Sequence, residues 1–454
     1  MNVHFIAIGG SAMHNLAIAL KKKGSNVSGS DDEIFEPAKS RLKQYEILPA
    51  EEGWYPAKIT KELDAIILGM HARADNPELL RAQELNIKVY SYPEFLYEQA
   101  RDKKRIVIGG SHGKTTITAM ILHVLQAVGK DCDYMVGAQL EGFDVMVKLT
   151  ETAPIMVFEG DEYLTSPIDR RPKFHLYMPD IALISGIAWD HMNVFPTFDN
   201  YCEQFRIFAS LVSKNGKLIY CMEDHAVVDA VRSADHSVEL IGYGLPQYSL
   251  TDGITSLITP GGNIPLLVFG HHNLLNLSGA LDVCRQLDVA DVDFYKAISS
   301  FNGASNRLES IGKNEHTRIF RDFAHSPSKL KATTNAVKEQ YPDKFLVACM
   351  ELHTFSSLSQ TFLEQYKGSM DAADLPVIYF NPHSLALKKL PPLEPKMVKK
   401  AIGRTDLRVF TDSNLLSEFL LNFGWKNKNL LMMSSGDFGG MNLKEFAGKL
   451  LSTE

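Results

Sequence analysis

The sequence has no CxxC pair. Its five cysteines, Cys132, Cys202, Cys221, Cys284 and Cys349, stand singly and far apart. Neither a structural zinc site nor a disulfide framework is expected, and a reducing cytoplasm fits. Long apolar runs are missing too. None approaches the roughly 20 residues that cross a bilayer, so membrane insertion is not expected. The first residues, Val3-His4-Phe5-Ile6-Ala7-Ile8, form a strand-like run with no basic n-region and no cleavage site, unlike a signal peptide. Positive charge is not in excess. A net charge of −7 argues against a general nucleic-acid binder and leaves room only for a local basic site that holds phosphate. There is no internal repeat and no low-complexity tract.

What is present suffices for two to four domains: 454 residues, 45% of them hydrophobic. In the first hundred residues, strand-like runs at Phe5–Ile8, Ala65–Leu68 and Lys88–Tyr90 alternate with helical patterns at Leu16–Lys23 and Glu78–Leu85. This alternation predicts an α/β fold with a parallel sheet. A charged break, Arg101–Arg105, precedes strands predicted at Ile106–Ile108, Ile155–Phe158 and Ile181–Ile184. A second boundary is expected near Leu308–Lys313. Strands are predicted after it near Thr317–Phe320, Phe345–Ala348, Val377–Phe380 and Leu430–Met433. The expected domains are 1–103, 104–310 and 311–454.

The strongest chemical signal is Gly109-Gly110-Ser111-His112-Gly113-Lys114-Thr115-Thr116, between a strand and the helical pattern Ala119–Leu125. Glycines let backbone N–H groups close on an anion, and a helix N-terminus adds favourable partial charge. Lys114 would reach the β/γ-phosphates of ATP, and Thr115 would offer its hydroxyl to Mg²⁺. The loop is shorter than the commonest GxxxxGK[ST] form; the bland alternative is a glycine-rich turn with an exposed lysine.

Five weaker signals follow in order. Glu159-Gly160-Asp161-Glu162-Tyr163 would place carboxylates at the C-terminal end of a strand, where they suit Mg²⁺. Trp189-Asp190-His191 puts a histidine at another strand end. Asn273 and Asn276 are three apart and share a helix face, suited to a purine edge, a phosphate or a helix cap. Arg307, in Asn306-Arg307-Leu308-Glu309, could clamp a phosphate or form a surface ion pair. Arg321-Asp322-Phe323-Ala324-His325-Ser326-Pro327 would bring Asp322 and His325 to a strand end, unless Asp322 is only a cap. Gly9-Gly10-Ser11-Ala12-Met13, with Asp31 about twenty residues on, has the outline of a dinucleotide turn but lacks its third glycine.

Taken together, this ordered set resembles the Mur ligase family, the ATP-dependent amide ligases of peptidoglycan synthesis, over essentially the whole chain. The resemblance implies three domains. An N-terminal Rossmann-like domain would hold a UDP-sugar. A central P-loop ATPase-like domain with a mostly parallel sheet would hold ATP. A C-terminal Rossmann-like domain would close over both. By position it implies a catalytic set of Lys114, Glu159, His191 and Asp322, with Thr115, Glu159 and His191 on Mg²⁺. Gly110, Ser111, His112, Gly113, Lys114, Thr115, Thr116, Asn273, Asn276, Arg307, Asp322 and His325 would line ATP. Gly9, Gly10, Ser11, Ala12, Met13, Asp31 and His71 would meet the UDP-sugar.

His4–Met13 and Val27–Asp31 look like the branch that binds UDP-N-acetylmuramate. Glu159–Tyr163, Asp169–Phe174 and Met433–Gly440 look like its murein peptide ligases, which attach a recycled tripeptide, L-alanyl-γ-D-glutamyl-meso-diaminopimelate. Tyr163, Arg170, Arg171, Lys173 and His353 are the implied peptide contacts, with the basic stretch Arg170–Lys173 equally open to the reading of a solvated loop. The implied reaction forms an acyl phosphate from ATP and the lactyl carboxylate, which the peptide's amine then attacks. A monomer or weak homo-oligomer is expected. The sequence departs from the family's pattern at Gly160, Leu164, Ser185, Ser326, His353 and Asp437, where alanine, aspartate, asparagine, histidine, arginine and glycine are usual. Leu164 and His353 bear on which amine is accepted. The nearest alternative is the same chemistry with L-alanine alone. A nicotinamide oxidoreductase would leave Lys114, Glu159 and His191 unexplained. A non-catalytic nucleotide-binding protein would be expected to have lost some of them.

Overall fold

Four sheets organise the chain in the computed structural model, which describes residues 1–140, 143, 145–192, 194–235 and 237–452. The first sheet is formed by β1 (Asn2–Ile6), β2 (Asn26–Ser30), β3 (Ala65–Leu68) and β4 (Val89–Ser91), all parallel, in the order β2-β1-β3-β4. The second holds β5 (Lys104–Gly109), β6 (Asp133–Met135), β7 (Val147–Lys148), β8 (Ile155–Glu159), β9 (Ile181–Ile184), β10 (Lys217–Cys221) and β11 (Glu239–Tyr243), in the order β11-β10-β9-β5-β8-β6-β7. Only β7 pairs antiparallel in it. A small antiparallel meander follows: β12 (Tyr248–Thr251), β13 (Ile254–Thr259) and β14 (Gly262–Pro265). The last sheet holds β15 (Glu309–Lys313), β16 (Arg318–Asp322), β17 (Phe345–Leu352), β18 (Leu375–Phe380), β19 (Arg408–Phe410) and β20 (Lys428–Met433), in the order β15-β16-β20-β17-β18-β19. It is parallel except for β15.

This is the expected α/β architecture of three domains, Rossmann-like, P-loop ATPase-like and Rossmann-like. The central strands are buried along their whole length, as in Ala65–Leu68 and Ile181–Ile184. A parallel sheet covered on both faces requires such continuous apolar runs. Contact density divides the chain into two units: Met1–Ile187 with Asp199–Tyr243 and Gly279–Ala290, and Ala188–Phe198 with Gly244–Ser278 and Asp291–Glu454. The first unit holds the first two sheets and the second holds the other two. Among the described residues, no helix is long and apolar enough to cross a membrane.

Some boundaries differ from the sequence reading. The first strand ends at Ile6, not Ile8, because Ala7 turns left-handed (φ 71°) and its N–H, like that of Ile8, bonds the Ser30 carbonyl. The boundary expected at Leu308–Lys313 falls on β15, the antiparallel edge of the last sheet. The reading did not mark β2, β10, β11 or the meander.

Candidate active site

In an open parallel sheet, ligands bind where the strand order reverses, beyond the carboxyl ends of the strands. In the second sheet that point is β5, which lies between β8 and β9. The chain leaves β5 through Gly109–Gly113 and enters helix α1 (Lys114–Ala127), so the predicted phosphate loop sits at the switch point. Gly110 has φ +140°, and a Cβ there would lie 2.1 Å from Ser185 Oγ, so only glycine fits. Ser185 pins the loop: its hydroxyl donates to the Gly109 carbonyl at 3.2 Å and to that of His112. From the same turn, Gly186 accepts from Ser111 N at 2.9 Å, and a Cβ on it would meet the His112 ring at 2.2 Å. The departure at Ser185 thus has a local function.

Lys114 is folded back onto its own loop. Its ammonium donates to the Gly110 carbonyl at 2.6 Å and to Glu162 Oε2 at 2.5 Å. Glu162 also accepts from the Tyr201 hydroxyl at 3.0 Å. Burial opposes the charge on Lys114, but Glu162, Asp161 and Glu159 outweigh it and raise its pKa. Beside it, the Thr115 hydroxyl donates to Glu159 Oε1 at 2.7 Å, and Gly137 N–H donates to Oε2 at 2.7 Å. A buried hydroxyl and carboxylate thus converge, the hard-oxygen donor set that suits Mg²⁺. The sequence reading missed the roles of Glu162 and Tyr201, which lie 39 residues apart and share no local pattern.

The first sheet has its own switch point at β1, between β2 and β3. Gly9–Met13 leads from it into the helix Ser11–Lys22. Asp31 is fully buried; its Oδ2 accepts from Gly9 N–H at 2.6 Å and its Oδ1 pairs with His71 Nε2 at 2.8 Å. Its oxygens hold the loop and His71 together, so Asp31 is not the open ribose acceptor that a dinucleotide site needs. Ser11 and Ala12 are exposed, whereas Met13 is in the core, a correction to its expected ligand contact through the side chain.

Residues 163–173 fold back on themselves: Lys173 N bonds Tyr163 O, Thr165 N bonds Arg171 O, and Ser166 N bonds Asp169 O. The basic residues expected to be open to a peptide are partly matched inside this excursion. Arg171 forks onto Asp169 at 2.7 and 3.1 Å, and Lys173 meets Asp161 at 2.5 Å. Leu164, where aspartate was usual, is buried and bridged to Pro172.

The remaining expected residues lie in the second unit. Asn273 and Asn276 are buried in the helix His271–Arg285, and Asn273 donates to the Phe269 carbonyl at 2.9 Å. Arg307 stacks 4.5 Å over Phe323, while neighbouring Glu309 pairs with Arg321 instead. Asp322 does not cap the following helix, whose N-cap is Ser326. It accepts from Leu308 N at 2.6 Å and Ala324 N at 2.7 Å. Burial raises its pKa against those bonds and Arg307. His191 sits at φ +54°, with its N–H on Asp190 Oδ1 at 2.8 Å. Burial works against the charge on Asp190, but His325 and Lys329 hold its carboxyl well below the usual range. Burial and Lys329 in turn lower the pKa of His325. His353 lies half-exposed 3.7 Å from buried Glu351, which accepts from Ser434 Oγ and Phe438 N. The structure therefore collects Lys114, Thr115 and Glu159 in one unit, and Asn273, Asn276, His191, Arg307, Asp322, His325 and His353 in the other.

Comparison with known proteins gives the family. Residues 2–104 match the Mur ligase family, catalytic domain, and residues 108–284 match the Mur ligase middle domain. A UDP-N-acetylmuramate–L-alanine ligase from Caldicellulosiruptor bescii is 31% identical over 82% of each chain. The crystal structure of a UDP-N-acetylmuramate–alanine ligase from Thermotoga maritima aligns with a TM-score of 0.72, at 19% identity, over 100% of both chains. A UDP-N-acetylmuramate:L-alanyl-γ-D-glutamyl-meso-diaminopimelate ligase from Neisseria meningitides aligns with a TM-score of 0.58 at 25% identity. It covers 66% of this chain and 98% of its own. Fold and matches together define an ATP-dependent carbon–nitrogen ligase. The chain belongs to the Mur ligase family.

Proposed function

We propose that this enzyme joins the lactyl carboxylate of UDP-N-acetylmuramate to the amine of an L-alanyl unit, with ATP and Mg²⁺. The carrying observation is the cluster at the switch point of the second sheet, where Lys114, Thr115 and Glu159 converge at the mouth of the phosphate loop. Thr115, Glu159 and His191 would hold Mg²⁺, which when bound supplies charge neutralisation for phosphoryl transfer. Lys114 exchanges Glu162 for the γ-phosphate and stays charged throughout. The lactyl carboxylate takes the γ-phosphoryl group, the amine attacks the acyl phosphate, and phosphate leaves. By position in the family, Asn273, Asn276, Arg307, Asp322 and His325 are the further ATP-site residues of this reading, and the backbone of Gly9–Ala12 with exposed His71 is its UDP-sugar site, which buried Asp31 holds in place. The enzyme works in the cytoplasm, as a monomer or weak homo-oligomer.

The name of the curated relative favours free L-alanine as the amine, and we place that reading first. One observation favours the recycled tripeptide: the folded excursion 163–173, with Tyr163 and exposed Arg170 on it, at the end of the strand that carries Glu159. The test is ATP-dependent phosphate release with UDP-N-acetylmuramate and, in turn, L-alanine, the dipeptide, the tripeptide and the tetrapeptide. L-alanine alone supporting turnover fixes the first reading, and turnover only with the tripeptide overturns it. Release with none of the amines present, or with no dependence on UDP-N-acetylmuramate, removes both.

A further inference from the structure

By its packing, the segment that carries His191 belongs to the same unit as the C-terminal sheet. Met192 lies against the core that contains Leu330, Leu358, Phe362 and Tyr366. Asp190 links the two. Its Oδ1 holds the His191 N–H at 2.8 Å and so supports a left-handed backbone (φ +54°) that a non-glycine residue adopts only with help. Its Oδ2 lies 3.4 Å from Lys329 Nζ and 3.8 Å from His325 Nε2. His325 is itself fixed, with Nδ1 on the Phe323 carbonyl at 2.8 Å and its own carbonyl accepting from the Tyr366 hydroxyl at 2.5 Å. Lys329 stands in the first turn of helix α2 (Pro327–Gln340) and belongs to none of the motifs found in the sequence. A carboxylate with only 13% of its side chain exposed is held in place by a counter-cation close by.

We propose that Lys329 is a positioning residue: it fixes Asp190, and through Asp190 the backbone turn that holds His191 ready for Mg²⁺. The proposal rests on reading His191 as a Mg²⁺ ligand. It adds a dependence of that ligand on a side chain from the C-terminal domain, 139 residues on from Asp190. Residues that orient metal ligands from behind typically matter by about 10–100-fold in metal affinity or activity.

The test uses the full chain with Lys329→Met, Lys329→Arg and His191→Ala. The first readout needs no metal: acrylamide quenching of Trp189, obtained by subtracting the signal of a Trp189→Phe protein. The second is the Mg²⁺ concentration for half-maximal phosphate release. Lys329→Met is expected to expose Trp189 to quencher and to raise the half-saturating Mg²⁺ about tenfold or more. The KM for ATP at saturating Mg²⁺ should stay near wild type, and Lys329→Arg should restore both readouts. If Lys329→Met fails to fold, Lys329→Gln takes its place. If His191→Ala raises the Mg²⁺ requirement and the Lys329 variants do not, the proposal falls and the metal reading stands. If His191→Ala leaves the requirement unchanged, the metal reading falls and takes the proposal with it.

Discussion

Consider Glu162→Gln, which changes one oxygen to nitrogen at the partner of the phosphate-loop lysine. Lys114 and Glu162 have side chains 14% and 1% exposed, and their charged atoms are 2.5 Å apart. At an effective dielectric of about 20, opposite charges 4 Å apart attract by about 4 kcal/mol. Breaking a buried pair by removing one partner costs about 3–5 kcal/mol, because a charge is left uncompensated. Glutamine keeps the shape and the bond from Tyr201, so the lower figure, about 3 kcal/mol, is expected. For a unit of this size that is a fall of roughly 6 °C or more in melting temperature. The chain has two units, so the transition to follow is the one that contains the first. Lys114 has a raised pKa, so its contribution is complete below its unfolded value of 10.5 and is lost only as pH rises through the higher folded one. The gap between variant and wild type should therefore be flat from about pH 6 to 9. Saturating ATP should narrow it, because the γ-phosphate replaces Glu162 as counter-charge. The double variant with Lys114→Met should cost at least about 1 kcal/mol less than the sum of the singles. A Glu162→Gln melt indistinguishable from wild type, with additive singles, would refute the pairing.

Glu159→Ala removes the acceptor of both Thr115 and Gly137 and should raise the Mg²⁺ requirement for phosphate release by about tenfold or more; an unchanged requirement counts against Glu159 as a ligand. Gly110→Ala forces a side chain into φ +140° and against Ser185, so a loss of about 3 kcal/mol and weaker ATP binding are expected in melts and equilibrium titration. Glu78→Gln breaks a fully buried pair with His4 in the first sheet. Burial opposes the charge on Glu78, but His4 and the hydrogen bonds around it lower its pKa below the usual 4.5. Its stabilisation is thus present above 4.5 and lost as pH falls through the lower folded value. Urea midpoints should show a wild-type advantage at neutral pH that shrinks in acid; a gap that widens in acid overturns the assignment.

The fold was most legible where strands are buried on both faces. Ala65–Leu68 and Ile181–Ile184 were read with their observed bounds, since a parallel strand between two helical layers must be apolar throughout. Asn26–Ser30 was not, although it pairs along all five residues with β1. Its serines are polar positions with partners: exposed Ser28 bonds His4 at 2.9 Å, and the buried Ser30 hydroxyl accepts from Lys58 at 3.3 Å. Such a strand looks like a loop. The meander escaped for another reason, because Ile254 and Ile258 are more than 45% exposed and its short strands carry no buried run.

At the site, the residues that carry the chemistry were legible because they cluster in sequence, while their resting partners were not. Tyr201 reaches Glu162 across 39 residues and Lys329 reaches Asp190 across 139, distances set by topology and invisible to any local pattern. The same blindness bears on the amine. Arg171 and Lys173 looked like cations waiting for peptide carboxylates, yet the fold supplies each with an acid of its own, Asp169 and Asp161. A substrate that used them would have to displace a short, charge-assisted bond. Among the described residues, Arg170 is the one basic side chain of that excursion without an acid beside it. If a peptide is the true amine, its extra carboxylates must be met by Arg170, or by His353 on the C-terminal domain. Arg170→Ala and His353→Ala should then raise the KM for tripeptide several-fold and leave turnover with L-alanine untouched. If both amines suffer equally, those residues do not read the peptide, and the folded excursion serves only to hold Glu162 and Asp161 in place.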